Sequence, residues 1–358
     1  MPAAIARVLQ RHWWRPRLTP LTALLVPLAC VVGVVAARRR ARARAPALAV
    51  PVIVVGNVIV GGAGKTPTVI ALVALLRTWG CTPGIVSRGH GRSDAGALLL
   101  DATTSAEAAT PAAFGDEPLL MHRRTGAPIA VARRRREAAQ SLLQAHPEVD
   151  VIVADDGLQH HALARDIELV VFDGRGIGNG WPLPAGPLRE RASAIWPSGA
   201  SAVPRFVLVN GRWPAPPARA LPVPRERCFE ARRGLAGALS LDDWTRGKAT
   251  SRETLLALRG RPLLAAAGIG DPERFFAMLE AEGLAITRRP LADHATFEPL
   301  PWPAGTADVV VTEKDAVKLA RQALGTTRVW VVTLDFALPD GLARALREAL
   351  PGRAAVSG

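Results

Sequence analysis

A glycine-rich stretch with a lysine and a threonine at its end carries the residue types that hold phosphate groups. It follows a hydrophobic run and reads Gly56-Asn57-Val58-Ile59-Val60-Gly61-Gly62-Ala63-Gly64-Lys65-Thr66. Backbone amides of such a turn wrap phosphate oxygens, and the helix that follows adds positive charge at its N-terminus. The lysine reaches the β- and γ-phosphates, and the threonine hydroxyl binds Mg²⁺. The residues predicted to bind the nucleotide are Ile59, Val60, Gly61, Gly62, Ala63, Gly64, Lys65 and Thr66.

This loop departs from the usual Walker pattern at one position. The pattern G-x-x-x-x-G-K-T has glycine where Ile59 stands, and we expect Gly61 and Gly62 to supply the backbone freedom instead. The alternative is a glycine-rich turn that binds no ligand. The Gly-Lys-Thr sequence between a buried strand and a helix favours the nucleotide site.

A pair of aspartates follows the hydrophobic run that ends at Ala154. Asp155 and Asp156 are placed like the acidic end of a Walker B strand, from which a carboxylate reaches the Mg²⁺ beside Thr66. Adjacent carboxylates repel each other unless a cation offsets their charge. The alternative is a solvated strand end, and the sequence does not decide which aspartate contacts the metal.

Three further motifs are ambiguous when only their residues are considered. Gly115-Asp116-Glu117-Pro118 is also typical of a helix start, and Asp293-His294 of an ordinary loop. Thr312-Glu313-Lys314-Asp315 resembles a helix-capping box, so a structural role stands beside a functional one.

The elements that must position these motifs alternate between hydrophobic strands and helices. Val52–Val55 is a β-branched run typical of a buried parallel strand, and similar runs recur along the chain up to Val329–Leu334. We predict an α/β fold: a P-loop NTPase-like parallel sheet with helices on both faces, a smaller C-terminal α/β unit and an N-terminal membrane helix. The predicted domains are an anchor with basic flanks over 1–45, a kinase core over 46–220, and a smaller unit over 221–358 that completes the active-site cleft.

The predicted membrane helix rests on Leu18–Ala37, which contains no charged residue. About 20 apolar residues are needed to cross a bilayer as a helix. Pro20 and Pro27 interrupt the run, so we expect a kinked or partly inserted helix. A signal peptide and a buried core helix are the alternatives; the arginines at 38–40 oppose export.

The charge distribution favours a lipid surface over nucleic acid as the partner. The net charge is +14, and no acidic residue precedes Asp94. The N-terminal arginines bracket the apolar run, as is typical of contact with anionic membrane lipids. Cys30, Cys81 and Cys228 show neither metal-ligand spacing nor a disulfide framework.

Taken together and in this order, the motifs resemble one family, tetraacyldisaccharide 4′-kinase, the lipid A 4′-kinase. The resemblance implies transfer of the ATP γ-phosphoryl group to the 4′-hydroxyl of an acylated glucosamine disaccharide 1-phosphate, which gives lipid IVA. The matching segments are G-N-V-I-V-G-G-A-G-K-T-P from Gly56, V-S-R-G-H-G-R from Val86, G-D-E-P from Gly115, D-D-G-L-Q-H from Asp155, L-P-A-G-P-L-R-E from Leu183, D-H-A-T-F from Asp293, and T-E-K-D from Thr312.

The resemblance also implies roles for the ambiguous motifs. Asp116 and His294 are expected to form the catalytic pair, with ATP and Mg²⁺ as cofactors. Glu117, together with Asp155 or Asp156, is expected to join Thr66 in the metal environment. The expected location is the cytoplasmic face of the inner membrane of a Gram-negative bacterium, with no obligate protein partner and no nucleic acid.

Two other functions fit parts of the sequence. One is a membrane-associated P-loop ATPase or GTPase of another pathway. A GTPase needs an N-K-x-D element to read guanine, and Thr312–Asp315 has Glu313 at the lysine position. The other is a non-catalytic scaffold that binds nucleotide, which the combination of Lys65, Thr66 and Asp155 disfavours.

Overall fold

The computed structural model describes residues 3–43, 45–92, 96–196, 203–211, 223–320 and 322–351. Arg44 and the predicted domain boundary between residues 220 and 221 lie outside the described residues. The chain forms two compact units. Unit 1 comprises Met1–Ser87, Arg134–Arg232 and Ala337–Gly358, and unit 2 comprises Arg88–Arg133 and Arg233–Phe336.

The described residues form helices and strands in close alternation. The strands are β1 (Val52–Gly56), β2 (Pro83–Ser87), β3 (Leu98–Leu100), β4 (Ile129–Val131), β5 (Val151–Asp155), β6 (Ile167–Asp173), β7 (Arg205–Asn210), β8 (Cys228–Ala231), β9 (Arg233–Ser240), β10 (Leu263–Ala267), β11 (Ile286–Pro290), β12 (Asp308–Thr312) and β13 (Arg328–Phe336). The helices are α1 (Ala3–Trp13), α2 (Pro20–Ala23), α3 (Val26–Arg42), α4 (Lys65–Thr78), α5 (Pro111–Phe114), α6 (Asp116–Thr125), α7 (Arg135–Ala145), α8 (Ala192–Ile195), α9 (Leu241–Thr245), α10 (Arg252–Leu256), α11 (Pro272–Ala281), α12 (Glu313–Leu319) and α13 (Asp340–Ala349), with a 3₁₀ turn at Arg225–Arg227.

Unit 1 is built on a parallel sheet with β1 near its centre. Its strands follow the order β2-β5-β1-β6-β7-β8, and every pair is parallel. Every residue of β1 is buried, which explains the unbroken β-branched run in the sequence. The register pairs Val55 with Asp155 of β5 and with Leu169 of β6. The predicted α/β fold with a parallel core is therefore confirmed.

Unit 2 contains a second, mixed sheet. Its order is β11-β10-β12-β13-β9, with β9 antiparallel to β13 and the other pairs parallel. Phe275 and Phe276 of α11 pack with Leu263, Ala265 and Val310 in its core. The antiparallel pair β3–β4 also belongs to this unit.

Two segments fall in different units from those that their sequence positions indicate. Residues 88–133 lie inside the predicted 46–220 core but group with unit 2, whereas 337–358 group with unit 1. Polar contacts explain the first grouping. Arg124 of α6 binds both carboxylate oxygens of Glu313 at 2.8 and 2.7 Å, and Arg123 lies over the Trp244 ring at 4.1 Å.

The segment Leu18–Ala37, predicted as a kinked or partly inserted membrane helix, does not form a single helix. The segment divides into α2 and α3, with Leu24 and Leu25 between them. Proline in a helix interior clashes with the carbonyl four residues earlier. For Pro27 that residue is Ala23, where α2 ends, so Pro27 sits instead in the first turn of a new helix. Among the described residues, we find no helix with the length and apolar character that crossing a membrane requires.

Candidate active site

Two glycines in left-handed conformations shape the phosphate loop in unit 1. Gly61 has φ +90° and Gly64 has φ +87°, a region that other residues rarely adopt. Gly64 is the N-cap of α4, so the helix starts directly at Lys65. Loop amides and a helix N-terminus therefore meet at one point, which is the arrangement that binds phosphate. Gly62, which we expected to share this role with Gly61, is not among the glycines with positive φ.

The first two residues of the predicted nucleotide set are engaged with the protein. The Ile59 side chain is fully buried, and its backbone pairs with Leu188. The Val60 amide donates a 2.9 Å hydrogen bond to the Pro187 carbonyl. These contacts leave Gly61–Thr66 as the part of the loop whose amides are predicted to surround a phosphate.

Asn57 holds both the loop and its lysine, a role that the sequence did not reveal. Its side chain is fully buried; Nδ2 donates to the Gly61 carbonyl at 3.1 Å, and Oδ1 accepts from Lys65 Nζ at 3.3 Å. Asn210 at the end of β7 supports the loop further by donating to the Ala63 carbonyl at 2.6 Å. Hydrogen bonds within the protein therefore hold Lys65 and the loop in place.

The two aspartates at the end of β5, Asp155 and Asp156, have different surroundings. Asp155 is 2% exposed, and its Oδ2 accepts a 2.9 Å hydrogen bond from Ser87. Asp156 has φ +48°, and its carboxylate lies 3.5 Å from Lys65 Nζ and 3.2 Å from Arg189 Nη1. Burial raises the pKa of Asp156, but the charges of Lys65 and Arg189 outweigh it, so the pKa is lowered.

The oxygen donors in unit 1 fit a Mg²⁺ ion that is bound together with a nucleotide. Within the described ranges, no group of three or more His, Cys, Asp or Glu side chains is placed to hold a metal by itself. Mg²⁺ at a phosphate site is usually held by one or two carboxylates and the substrate's own phosphates. Thr66 in the first turn of α4 and the carboxylates after β5 are donors of this kind.

Unit 2 brings Asp116 and His294 together across 178 positions of sequence. His294 Nδ1 lies 3.2 and 3.1 Å from the two carboxylate oxygens of Asp116. Asp116 is the first residue of α6 and is 5% exposed. Gly115 before it has φ +89°, and a Cβ there would lie 2.9 Å from the His90 carbonyl, so only glycine fits this turn. The His90 ring itself lies 4.9 Å from that of His294.

The charges around this pair keep Asp116 ionised. Burial raises the pKa of Asp116, but the hydrogen bond from His294 and the charges of Lys314, His294 and Lys318 outweigh it and lower the pKa to about 2. The same hydrogen bond raises the pKa of His294, against the opposing effects of burial and Lys314. The pair therefore consists of a carboxylate that is ionised at neutral pH and an imidazole that it orients.

Two lysines of α12 complete the unit 2 cluster, and neither was predicted as a site residue. Lys314 Nζ lies 3.0 Å from Glu117, 3.4 Å from Asp293 and 4.0 Å from Asp116. Lys318 Nζ lies 3.7 Å from Asp116. Lys314 lies in the T-E-K-D motif, for which a capping role and a functional role both stood open, whereas Lys318 lies outside that motif.

The predicted capping interaction is itself confirmed, because the Thr312 side chain accepts the Asp315 amide at 3.2 Å. Glu117, predicted as part of the metal environment, lies in unit 2 with its carboxylate paired to Lys314. Its metal role stays a prediction.

Comparison with known proteins identifies the family. The family model for tetraacyldisaccharide-1-P 4′-kinase, LpxK, matches residues 21–351. A tetraacyldisaccharide 4′-kinase of Methylibium petroleiphilum is 50% identical over 357 residues, covering 97% of this chain and 94% of that protein. One of Leptothrix cholodnii is 51% identical over 338 residues, or 92% of each.

A solved structure has the same fold. It is the "apo" form of LpxK from Aquifex aeolicus in complex with ATP, with a TM-score of 0.72 and 22% identity over 92% of this chain and 99% of that chain. At this identity the likeness supports the fold alone. The family match and the two kinases at half identity go further: the chain belongs to the tetraacyldisaccharide-1-P 4′-kinase family.

Proposed function

We propose that this chain transfers the γ-phosphoryl group of ATP to the 4′-hydroxyl of tetraacyldisaccharide 1-phosphate, giving lipid IVA in lipid A biosynthesis. The observation that carries the proposal is the family match over residues 21–351. Curated relatives named for this activity, at 50 and 51% identity, support it. The phosphate loop and the Asp116–His294 pair supply the chemistry that the reaction needs.

The nucleotide is bound by unit 1. Amides of Gly61–Thr66 surround the phosphates, and Lys65, anchored by Asn57, supplies a positive charge. Thr66 and Asp155 or Asp156 would hold Mg²⁺, which would supply positive charge against the phosphates. Of these two carboxylates we favour Asp155, because the charge of Asp156 is already balanced by Lys65 and Arg189.

The acceptor hydroxyl is activated by Asp116 of unit 2. A sugar hydroxyl is a weak nucleophile, and a positioned carboxylate accepts its proton as the phosphoryl group is transferred. His294 holds the Asp116 carboxylate in a fixed orientation through Nδ1. A carboxylate with a pKa of about 2 is a weak base, so most of the rate enhancement comes from positioning and charge. That residues 221–358 complete an active-site cleft stays a prediction.

The competing function is a P-loop ATPase or GTPase that does not phosphorylate lipid. We would follow ADP or GDP formation by the purified full chain with no lipid, with the disaccharide 1-phosphate, and with lipid IVA, whose 4′-hydroxyl is already phosphorylated. The kinase forms ADP only with the disaccharide 1-phosphate. Equal ADP or GDP formation in all three samples would support the ATPase or GTPase instead.

We further propose that the N-terminal helices associate with the surface of the inner membrane, on its cytoplasmic face, through anionic lipids. Among described side chains, the large apolar ones that are more than a third exposed are, with the exception of Leu256, all found between Val8 and Val35. Leu24 is 80% exposed, and Leu28 and Val31 are 54% and 58% exposed on α3. Arginines follow at 38–40 and 42. An apolar face beside a basic flank is typical of an interfacial helix.

Binding to vesicles tests this surface without removing it. Leu24→Glu combined with Leu28→Glu is expected to reduce binding of the full chain to anionic vesicles by at least about tenfold, because two apolar side chains are replaced by charges that the lipid repels. Leu256→Glu, at the exposed leucine of α10, is the matched control and should bind as the parent does. Unchanged binding of the double variant would place the membrane contact elsewhere. Truncation is a poorer test, because Trp13 is 5% exposed and donates to the Pro184 carbonyl at 2.9 Å.

A further inference from the structure

The strands on the two sides of β1 both end in an aspartate. β5 ends at Asp155, and β6, on the other side, ends at Asp173. In a parallel α/β sheet, ligands bind outside the carboxyl ends of the strands. The β5 side supplies the carboxylates already assigned to the nucleotide site. β6 is, like β5, a direct neighbour of β1, the strand that leads into the loop. The charged side chains at the end of β6 have not yet been given a role.

Asp173 holds an arginine in a fixed orientation. Arg175 Nε lies 3.0 Å from each Asp173 oxygen, and Nη2 donates to Oδ2 at 2.6 Å. The Arg175 amide also donates to Oδ1 at 2.9 Å. The Asp173 side chain is 5% exposed, whereas that of Arg175 is 29% exposed. A buried carboxylate thus anchors one edge of a guanidinium whose remaining donors face away from it.

The free edge of this guanidinium lies over the phosphate loop. Nη2 is 3.5 Å from the Gly62 carbonyl, and a Cβ built on Gly61 would lie 3.6 Å from Nη2 and 3.8 Å from Nη1. Within the described part of the chain, Nη1 donates no hydrogen bond to protein. Lys65, by contrast, contacts Asn57 and Asp156 on the β5 side. The loop therefore has one cation on each side.

The N-terminal segment forms the wall behind Arg175. The guanidinium carbon lies 4.3 Å from the centre of the Trp14 ring, a stacking distance. The neighbouring Trp13 carbonyl accepts the Asn179 amide at 2.8 Å, so this wall is fixed to the segment that follows β6. Arg175 is held by a carboxylate at one edge and by an aromatic face on one side.

We propose that Arg175 contacts the β- or γ-phosphate of the nucleotide from the β6 side of the loop, and that Asp173 and Trp14 position it there. The inference rests on the proposed function, because it requires ATP in the loop. The planar guanidinium has N–H donors that Asp173 does not use, and such donors bind phosphate oxygens well. From this position it stabilises negative charge on the phosphates during transfer. Trp14 acts through Arg175 and is a positioning residue.

Equilibrium binding of ATP, ADP and AMP to the full chain, measured by calorimetry, tests the inference. Arg175→Gln is expected to weaken ATP binding by at least about tenfold and AMP binding by less than about twofold, since a charge-assisted hydrogen bond is lost only where β- or γ-phosphate is present. Arg175→Lys keeps the positive charge but loses the planar set of N–H donors. Its ATP affinity should therefore lie between those of the parent and Arg175→Gln. Arg227→Gln is the matched control in unit 1: it also stacks on an aromatic ring, Phe206 at 5.0 Å, and should leave all three affinities unchanged.

The Trp14 variants separate positioning from general stability. Trp14→Leu should weaken ATP binding but not AMP binding, and should add little to Arg175→Gln, because both act on one contact. Trp14→Phe should restore binding, because it keeps an aromatic face. Equal weakening of all three nucleotides would indicate a purely structural role and overturn the proposal.

ATP affinities within twofold of the parent for both Arg175→Lys and Trp14→Leu would also overturn it, and these variants serve if Arg175→Gln does not fold. The proposed function fails separately: in that case the parent chain itself does not bind ATP, or Lys65→Ala does not weaken that binding.

Discussion

The ammonium group of Lys314 lies among three carboxylates in unit 2, which makes its removal a sharp test of the cluster. Its distances to the nearest oxygens are 3.0 Å for Glu117, 3.4 Å for Asp293 and 4.0 Å for Asp116. Burial lowers the pKa of Lys314, but these carboxylates outweigh it and raise the pKa above its usual value. Lys314→Met keeps the length of the side chain and removes only the charge, so the carboxylates are left without their shared cation.

The exposure of each partner sets the expected size of the effect. Removing one member of a fully buried ion pair costs about 3–5 kcal/mol, whereas exposed pairs contribute about 1 kcal/mol or less. Here the side chains of Asp116, Glu117 and Asp293 are 5%, 24% and 38% exposed. Water therefore screens most of the interaction between Asp293 and Lys314, and part of the interaction between Glu117 and Lys314. We expect Lys314→Met to lower the free energy of unfolding of unit 2 by about 2–3 kcal/mol.

Hydrogen–deuterium exchange of the amides in α6 and α12, followed across a urea series, measures this loss within unit 2 itself. Lys248→Met is the matched control. It breaks the Lys248–Asp243 pair at 2.7 Å, whose side chains are 61% and 36% exposed, and should cost far less stability than Lys314→Met because water screens an exposed pair. Adding Glu117→Gln to Lys314→Met should recover part of the loss, since it removes one uncompensated carboxylate. A loss no larger than that of Lys248→Met, or no recovery in the double variant, would refute the reasoning.

Three further predictions concern the catalytic residues and pH. Lys65→Ala should reduce turnover by about a hundredfold or more, because a charge that stabilises the transferring group is lost; steady-state kinetics near wild-type values would contradict this. Asp116→Asn should lower single-turnover transfer at saturating ATP, Mg²⁺ and lipid by about a hundredfold with little change in ATP affinity, and a rate within about threefold of wild type would exclude Asp116 as the base. Burial and the charge of Arg165 lower the pKa of His161 to about 4 in the folded chain. In the unfolded chain the histidine pKa is near 6.5, so between about pH 4 and pH 6.5 the unfolded chain binds more protons than the folded chain. The free energy of unfolding should therefore fall as pH drops from about 6.5 towards 4, and urea unfolding of His161→Gln at pH 7 and 5 should show a smaller fall than wild type.

The sequence located the strand, the turn and the helix of the phosphate loop because their determinants are local. A buried strand, a glycine-rich turn and a helix follow one another within Val52–Thr78, and the hydrophobic pattern marks each of them. Asp155 and Asp156 were placed beside this loop because parallel strands bring their carboxyl ends to one edge. The contact between Asp116 and His294 was reached only through the family resemblance, since neither local motif indicates a partner.

The contacts that the sequence did not reveal depend on tertiary structure. Asn57 lies inside the loop motif, but spacing does not show that its side chain turns inward to Lys65. Lys314 contacts Glu117 across 197 positions. Arg175 is recognisable as a site residue only once β6 is seen beside β1. The short strands β3 and β4 have three residues each, too few to show a period.

Among the described residues, the N-terminal segment contains no helix that supports the predicted membrane span. Leu18–Ala37 is apolar and uncharged, which indicates a long helix by composition. Pro27 breaks it because a proline is tolerated in the first turn of a helix but not in its interior. The apolar side chains remain exposed on the two shorter helices, and this exposure supports a surface contact with lipid.

The central claim is tested most directly by locating the phosphate in the product. Purified full-length protein would be incubated with Mg²⁺, ATP labelled in the γ-phosphate and the tetraacylated disaccharide 1-phosphate, and the labelled lipid would be isolated and its phosphate position assigned by NMR. We predict stoichiometric label on the 4′-oxygen with the 1-phosphate unlabelled, and formation of labelled lipid at least about a hundredfold slower with Lys65→Ala. Label released only as inorganic phosphate, or attached at any other position, would contradict the assignment.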